Sequence, residues 1–347
     1  MTGVWLGQAS GAVGDQLLPV ALSLYVLHAG GGVTEIGLVL GGRAISLVVC
    51  LLAGGLLADR ARRTRILFGA DLFRAVLILA AATALPWLPL ALLPLLTMLM
   101  GAGEALSRPA ARSLIPTLLP DALLERGNAL VAAAHRSSAV LGALAGVSLV
   151  GARTALVLAG VVFALGALTV LRVPEDAPSS GAERRSVLAD AAHGLRATRR
   201  RPWAMAVMFT VCLHLFAGSA TALTLLPVVS REHFGGDVAY GVVLASMAVG
   251  ALPGIAVAGR WRPKAPGTVA MLRSFPSNVL GKVFALDQLS AYALLPLGYA
   301  LVGPVVDMVG AGATLAGGGI VVAASSLLVP GVARFADPED RPAAGAG

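Results

Sequence analysis

Seven residues able to do proton or ion-pair chemistry, Asp15, Arg43, Glu104, Arg108, His135, Arg136 and His214, stand in or at the end of long apolar stretches of this chain. An ionisable group in hydrocarbon is costly unless it is paired or faces water, which makes such groups functional candidates by default. Asp15 falls about eleven residues into the first apolar run, about 16 Å deep at a helical rise of about 1.5 Å per residue, and Arg43 lies about 21 Å above the inner end of the second. The two levels match. Two readings follow: a permanent ion pair, or an Asp15 that changes protonation or partner, with Gly11 and Gly14 loosening the helix around it. Glu104 and Arg108, four apart, can pair along one helical face. His135 and Arg136 lie about 12 Å into the fifth run, and Arg136 either snorkels to the inner surface or lines a cavity. His214, among Thr210, Ser219 and Thr221, is either a substrate contact that titrates near neutral pH or a side chain hydrogen-bonded to a neighbour. Asp287 falls in the first turns of a helix, where a capping or dipole role is expected.

The elements that position these groups are membrane helices. Hydrophobic residues make up 57% of the chain and charged ones 13%, with a mean hydropathy of +0.84, against roughly 25% charged residues in soluble domains. Ten apolar runs of about 20 residues, each long enough to cross a bilayer as a helix, cover 4–28, 34–57, 66–85, 90–111, 128–150, 153–171, 204–228, 239–258, 284–303 and 311–332. A β-barrel would need shorter segments of alternating polarity; these are continuously apolar and rich in Ala, Leu and Gly. The first run has no basic region before it and no A-x-A-like cleavage site, so it reads as retained. Cys50 and Cys212 both fall inside runs, where a structural disulfide is not expected, and no metal spacing such as C-x-x-C occurs.

The formal charge is +8. With the N-terminus inside, 22 of the 26 Lys and Arg fall at cytoplasmic ends or loops, Arg153 and Arg231 lie outside, and Arg43 and Arg136 lie within spans. That asymmetry is the positive-inside rule, so the charge orients helices and implies no nucleic-acid partner. Both termini are expected in the cytoplasm.

The chain divides into a six-helix bundle (1–172), a cytoplasmic linker (173–202), a shortened bundle of about four helices (203–333) and a tail (334–347). The linker reads as a solvated segment or as a basic helix lying on the anionic inner leaflet. The halves echo one another, as transporter halves do: PDALLERGNAL (120–130) matches PSNVLGKVFAL (276–286), and GGLLADRARR matches VAGRWRPK (257–264). These anchors are 60 residues apart in the first half, Arg60 to Pro120, and 16 in the second, Arg260 to Pro276. The halves themselves differ by 42 residues, about two helices and a turn. The second half therefore reads as lacking the counterparts of the third and fourth spans.

At the inner end of the second run, Gly55-Leu56-Leu57-Ala58-Asp59-Arg60-Ala61-Arg62-Arg63 resembles the signature of the major facilitator superfamily. LADRARRTRILFGADLFRA, with WLGQASGAVGDQL, ALSRPAARSLIPTLLPDALLERGNAL and LGKVFALDQLSAYALLPLGYALVGPVVD, resembles the branch holding siderophore exporters and macrolide efflux proteins. The fifth span, SAVLGALAGV, departs from the Gly-Pro-rich antiporter motif at Ala143. The resemblance implies an all-α, two-bundle helical transporter, here with ten transmembrane helices, six plus four, instead of twelve. It also implies a cytoplasmic gate built from Gly55, Asp59, Arg60, Arg63, Arg108 and Arg112, in which Asp59 meets a helix N-terminus near Lys282 to Asp287, or Arg108 or Arg112. The alternative is that the arginines serve only as topology anchors.

No nucleophile elbow, Walker loop, paired catalytic carboxylates or H-E-x-x-H occurs, so no enzyme, metal or cofactor is expected. The expectation is an inner-membrane secondary transporter that exports amphipathic small molecules of drug, macrolide or siderophore type by alternating access. Its candidate proton or substrate pathway is Asp15, Arg43, Glu104, His135, Arg136 and His214, with lipid around it and protons as the coupling ion. The alternative is a shortened, non-transporting relative of such proteins.

Overall fold

The computed structural model describes residues 2–58, 62–118, 151–171, 201–260 and 289–333, with isolated positions between 138 and 287. All regular structure among them is helical. That follows from composition, since in lipid each backbone N–H and C=O must be satisfied within its own segment. The helices are α1 (Thr2–His28), α2 (Val33–Ala58), α3 (Arg63–Ala84), α4 (Leu93–Leu118), α5 (Ala152–Val170), α6 (Pro202–Leu213), α7 (Ala220–His233), α8 (Asp237–Arg260), α9 (Leu295–Val309) and α10 (Ala311–Ala333). A π-helical turn, His214–Ser219, joins α6 to α7. Seven spans among the described residues are long and apolar enough to cross a membrane; Asp237–Met247 and Ala311–Leu327 are shorter apolar helices.

Most expected spans fall within a few residues of these bounds. The one expected at 284–303 is displaced: its helix continues to Val309. Pro304 sits inside it without ending it, and the stop comes at Gly310, whose φ of +85° disfavours any side chain. Most of the run expected at 128–150 and most of the linker lie outside the described residues.

Contacts divide the chain into two compact units, Met1–Ala182 with Leu223–Ala251, and Glu183–Ala222 with Leu252–Gly347. In the first unit α2 packs along α4, α5 packs along both α1 and α3, and α3 also meets α4. The start of α3 and the ends of α4 and α5 share a core of Ile66, Leu67, Ala110, Ala111 and Val170. Val20 and Leu24 of α1 pack on Tyr240 of α8, with Leu226 and Leu244 beside them. Hydroxyls fix the register: Thr97 Oγ1 donates to the Val39 carbonyl at 2.6 Å, and Tyr25 Oη to the Leu85 carbonyl at 2.7 Å.

In the second unit α10 packs on α6, on the π turn and on α9. Backbone approaches closely there. A Cβ on Gly318 would sit 2.5 Å from the Ala217 carbonyl oxygen, and one on Gly298 2.7 Å from that of Phe216. Two glycines thus let α9 and α10 close on the widened turn, in keeping with the role of small residues between membrane helices.

Candidate functional site

Each of the first four helices brings a charge to about its middle, and the side chains meet. Arg43 Nε (α2) donates to Glu104 Oε2 (α4) at 2.7 Å, while Arg43 Nη2 lies 3.5 Å from Asp15 Oδ1 (α1). Arg74 Nη2 (α3) bonds the same Asp15 oxygen, and Arg74 Nη1 lies 3.6 Å from Asp71 Oδ1 one turn earlier on α3. Arg108 Nη2 closes the other end on Glu104 Oε1. The order is Arg108, Glu104, Arg43, Asp15, Arg74, Asp71, with signs alternating. Three carboxylates face three guanidiniums, so the chain of charges is formally neutral.

Burial varies from residue to residue along it. The side chains of Glu104 and Arg74 are 1% and 2% exposed, whereas Asp15 is 23% exposed. Buried charges persist only when paired, and Glu104 is held by one guanidinium on each oxygen. Asp15 is held by arginines of two helices other than its own, Arg43 of α2 and Arg74 of α3.

Local sequence explains how Asp15 comes to be shared. Pro19, four residues on in α1, has no N–H to offer the Asp15 carbonyl. That freed oxygen accepts a long contact, 3.5 Å, from Arg43 Nη1. Gly11 and Gly14 do not break the helix. A Cβ on Gly14 would lie 2.5 Å from Cε2 of Phe163, so this glycine makes room for the ring. The expected loosening role gives way to a packing role there. Phe163 lies in turn under Arg74, whose guanidinium carbon is 3.9 Å from the ring centroid. Arg74 Nε is buried without a hydrogen-bond acceptor, and the aromatic face takes its place.

That stacking yields a prediction. A volume-matched core swap costs under about 1.5 kcal/mol, whereas a desolvated cation–π contact adds about 2 kcal/mol. Phe163→Leu is therefore expected to destabilise the protein by about 2 to 3 kcal/mol. Thermal unfolding in detergent checks it, with Phe163→Trp, which keeps a π face, losing less.

Of the residues expected from sequence, Asp15, Arg43, Glu104 and Arg108 are brought together. Arg74 and Asp71 were not anticipated. The charge asymmetry places Arg74 with the cytoplasmic residues, whereas it is buried twelve positions into α3. The available signal was the pair Asp71 and Arg74, one turn apart inside LFGADLFRAVLI. His214 belongs to the second unit. Its Nε2 meets the Val322 carbonyl at 3.2 Å and Ser326 Oγ at 3.1 Å. Of the gate residues, Arg63 opens α3, and Gly55 and Arg112 lie on α2 and α4. Asp59 and Arg60, like His135 and Arg136, lie outside the described residues.

Helices long and apolar enough to span a bilayer, with paired charges near their middles, mark an integral membrane protein. The chain belongs to the Major Facilitator Superfamily, whose sequence profile matches residues 4–334. The fold is similar to that of the nucleoside transporter NupG in its D323A mutant, with a TM-score of 0.71 at 12% identity over 96% of this chain and 98% of that one. It is also similar to a POT family transporter in complex with 5-aminolevulinic acid, at 0.68 and 13% identity over 97% and 96%. A third likeness is to a bacterial homolog of the human lysosomal transporter Spinster in an inward-facing, unoccupied conformation, at 0.63 and 16% identity over 92% and 78%. No curated protein matches the chain in sequence.

Proposed function

We propose that this chain is an inner-membrane exporter of amphipathic small molecules, of the siderophore and macrolide efflux branch. In this reading it works by alternating access, with six plus four helices and cytoplasmic termini. Asp15 carries the coupling proton. The observation that supports this most is the position of Asp15, a partly exposed carboxylate shared by guanidiniums of two other helices. A carboxylate so placed can give up one partner when it takes a proton, and each arginine retains a second carboxylate, Glu104 or Asp71. Asp59, with Gly55, Arg60, Arg63, Arg108 and Arg112, forms the cytoplasmic latch in this scheme, and His135, Arg136 and His214 belong to the pathway.

Everted vesicles assayed with a panel of macrolides, dyes and siderophores test it. Wild-type transport is expected to rise with an imposed pH gradient, and Asp15→Asn to lose that dependence. Equal pH dependence in both would remove Asp15 from the coupling. The 42-residue difference between the halves favours a second reading, a shortened chain that inserts without transporting. Transport of no compound in the panel by correctly folded wild type would favour it.

A further inference from the structure

The end of α1 meets the start of α8 through one ion pair, His28 Nε2 to Asp237 Oδ2 at 3.2 Å. His28 is the last residue of α1, and its other ring nitrogen, Nδ1, lies 2.7 Å from the Leu24 carbonyl oxygen. A carbonyl oxygen only accepts, so Nδ1 donates. An ionised carboxylate also only accepts, so Nε2 must donate as well. Both contacts are satisfied together by the imidazolium form. A neutral ring bonded to Leu24 would turn a lone pair toward Asp237. Histidine is the side chain whose ordinary charge change falls between pH 5 and 8, and this pair is open to water, with the side chains 55% and 30% exposed.

The pair sits over a greasy plug. One turn before His28, Leu24 packs with Val20 against Tyr240, which lies one turn after Asp237. Other charged groups at this end are Glu35, which accepts from the Gly32 N–H at 2.7 Å, Arg153 at the start of α5, and Arg231, Glu232 and His233 at the close of α7. His233 Nδ1 lies 4.0 Å from Glu232. Asp237 is the acid placed against the His28 ring.

We infer that His28 and Asp237 form a proton-operated clasp between α1 and α8, closed over the Leu24–Tyr240 plug when His28 is charged and released when it is neutral. The inference does not depend on what the protein carries or on Asp15. By the topology expected from the basic residues, this end is the external one, so external acidity closes the clasp.

Electron–electron double resonance on the full chain in nanodiscs tests it. Spin labels go on Thr34→Cys and Phe234→Cys, both exposed positions, in a background with Cys50 and Cys212 replaced by Ser. An exposed ion pair shifts a two-state ratio by about twofold to fivefold. The long-distance population is therefore expected to grow by that factor from about pH 5.5 to about pH 8, which brackets the histidine range. His28→Gln and Asp237→Asn, each made separately and checked for a monodisperse elution profile, should show the long-distance population at both pH values. A wild-type distribution that does not change with pH would overturn the inference. So would a pH response that survives in both variants.

Discussion

Glu104→Gln should lower the free energy of unfolding by about 3 to 5 kcal/mol, the cost of removing one partner from a buried ion pair. The substitution keeps the shape of the side chain and takes away one negative charge. Arg43 and Arg108 both donate to this carboxylate, and Arg43 is left with only the more distant Asp15 as a counter-charge. The two ends differ in weight. Arg108 is about one-third exposed and can be rehydrated, so most of the loss arises at Arg43. Adding Arg43→Gln to Glu104→Gln should therefore restore part of the stability, a non-additivity typical of residues in one network. Thermal midpoints in detergent for the two single variants and the double variant check this. A strictly additive double variant would show that the pair makes no joint contribution.

Gly101→Val should be about as damaging although it touches no charge. A Cβ on Gly101 would collide with the backbone carbonyl oxygen of Arg43, which is part of a helix and cannot swing aside. Gly42 stands in the same seam, where a Cβ would lie 2.6 Å from the Pro94 carbonyl oxygen and 2.9 Å from Thr97 Oγ1. Overpacking costs about 1 to 3 kcal/mol in an ordinary core. Here the cost should exceed that range, because separating α2 from α4 also lengthens the 2.7 Å bond from Arg43 to Glu104. The check is the unfolding midpoint beside the yield of monodisperse protein. Gly69→Ala, where a Cβ meets nothing within 4 Å, is the control expected to leave both unchanged.

Counting residues along helices recovered the level of Asp15 and Arg43, because a helix converts sequence distance into depth at a fixed rate. The four-residue interval between Glu104 and Arg108 likewise placed both on one face. Arg74 escaped for a related reason: depth is measured from a helix start. The run 66–85 contains Arg74, yet the charge count places it with the cytoplasmic residues, without regard to its depth in α3. Rotation about each helix axis was not legible either. Only tertiary packing shows that Arg43 turns to Glu104 and that Phe163 slides under Arg74. The π turn at His214–Ser219 carries no proline to announce it, and it is found where Gly298 and Gly318 admit neighbouring backbone.

The alternating charges of the first four helices also bear on how the chain is made. Asp15 leaves the ribosome before Arg43, and Arg74 follows after one further loop and Glu104 after two. An isolated ionised residue at a helix centre costs about 2.5 to 3.5 kcal/mol on insertion scales. Newly synthesised α1 therefore gains by remaining beside the insertion machinery until its counter-ions emerge. Lateral release into lipid costs less for the four helices as a group, whose charges pair, than for α1 alone.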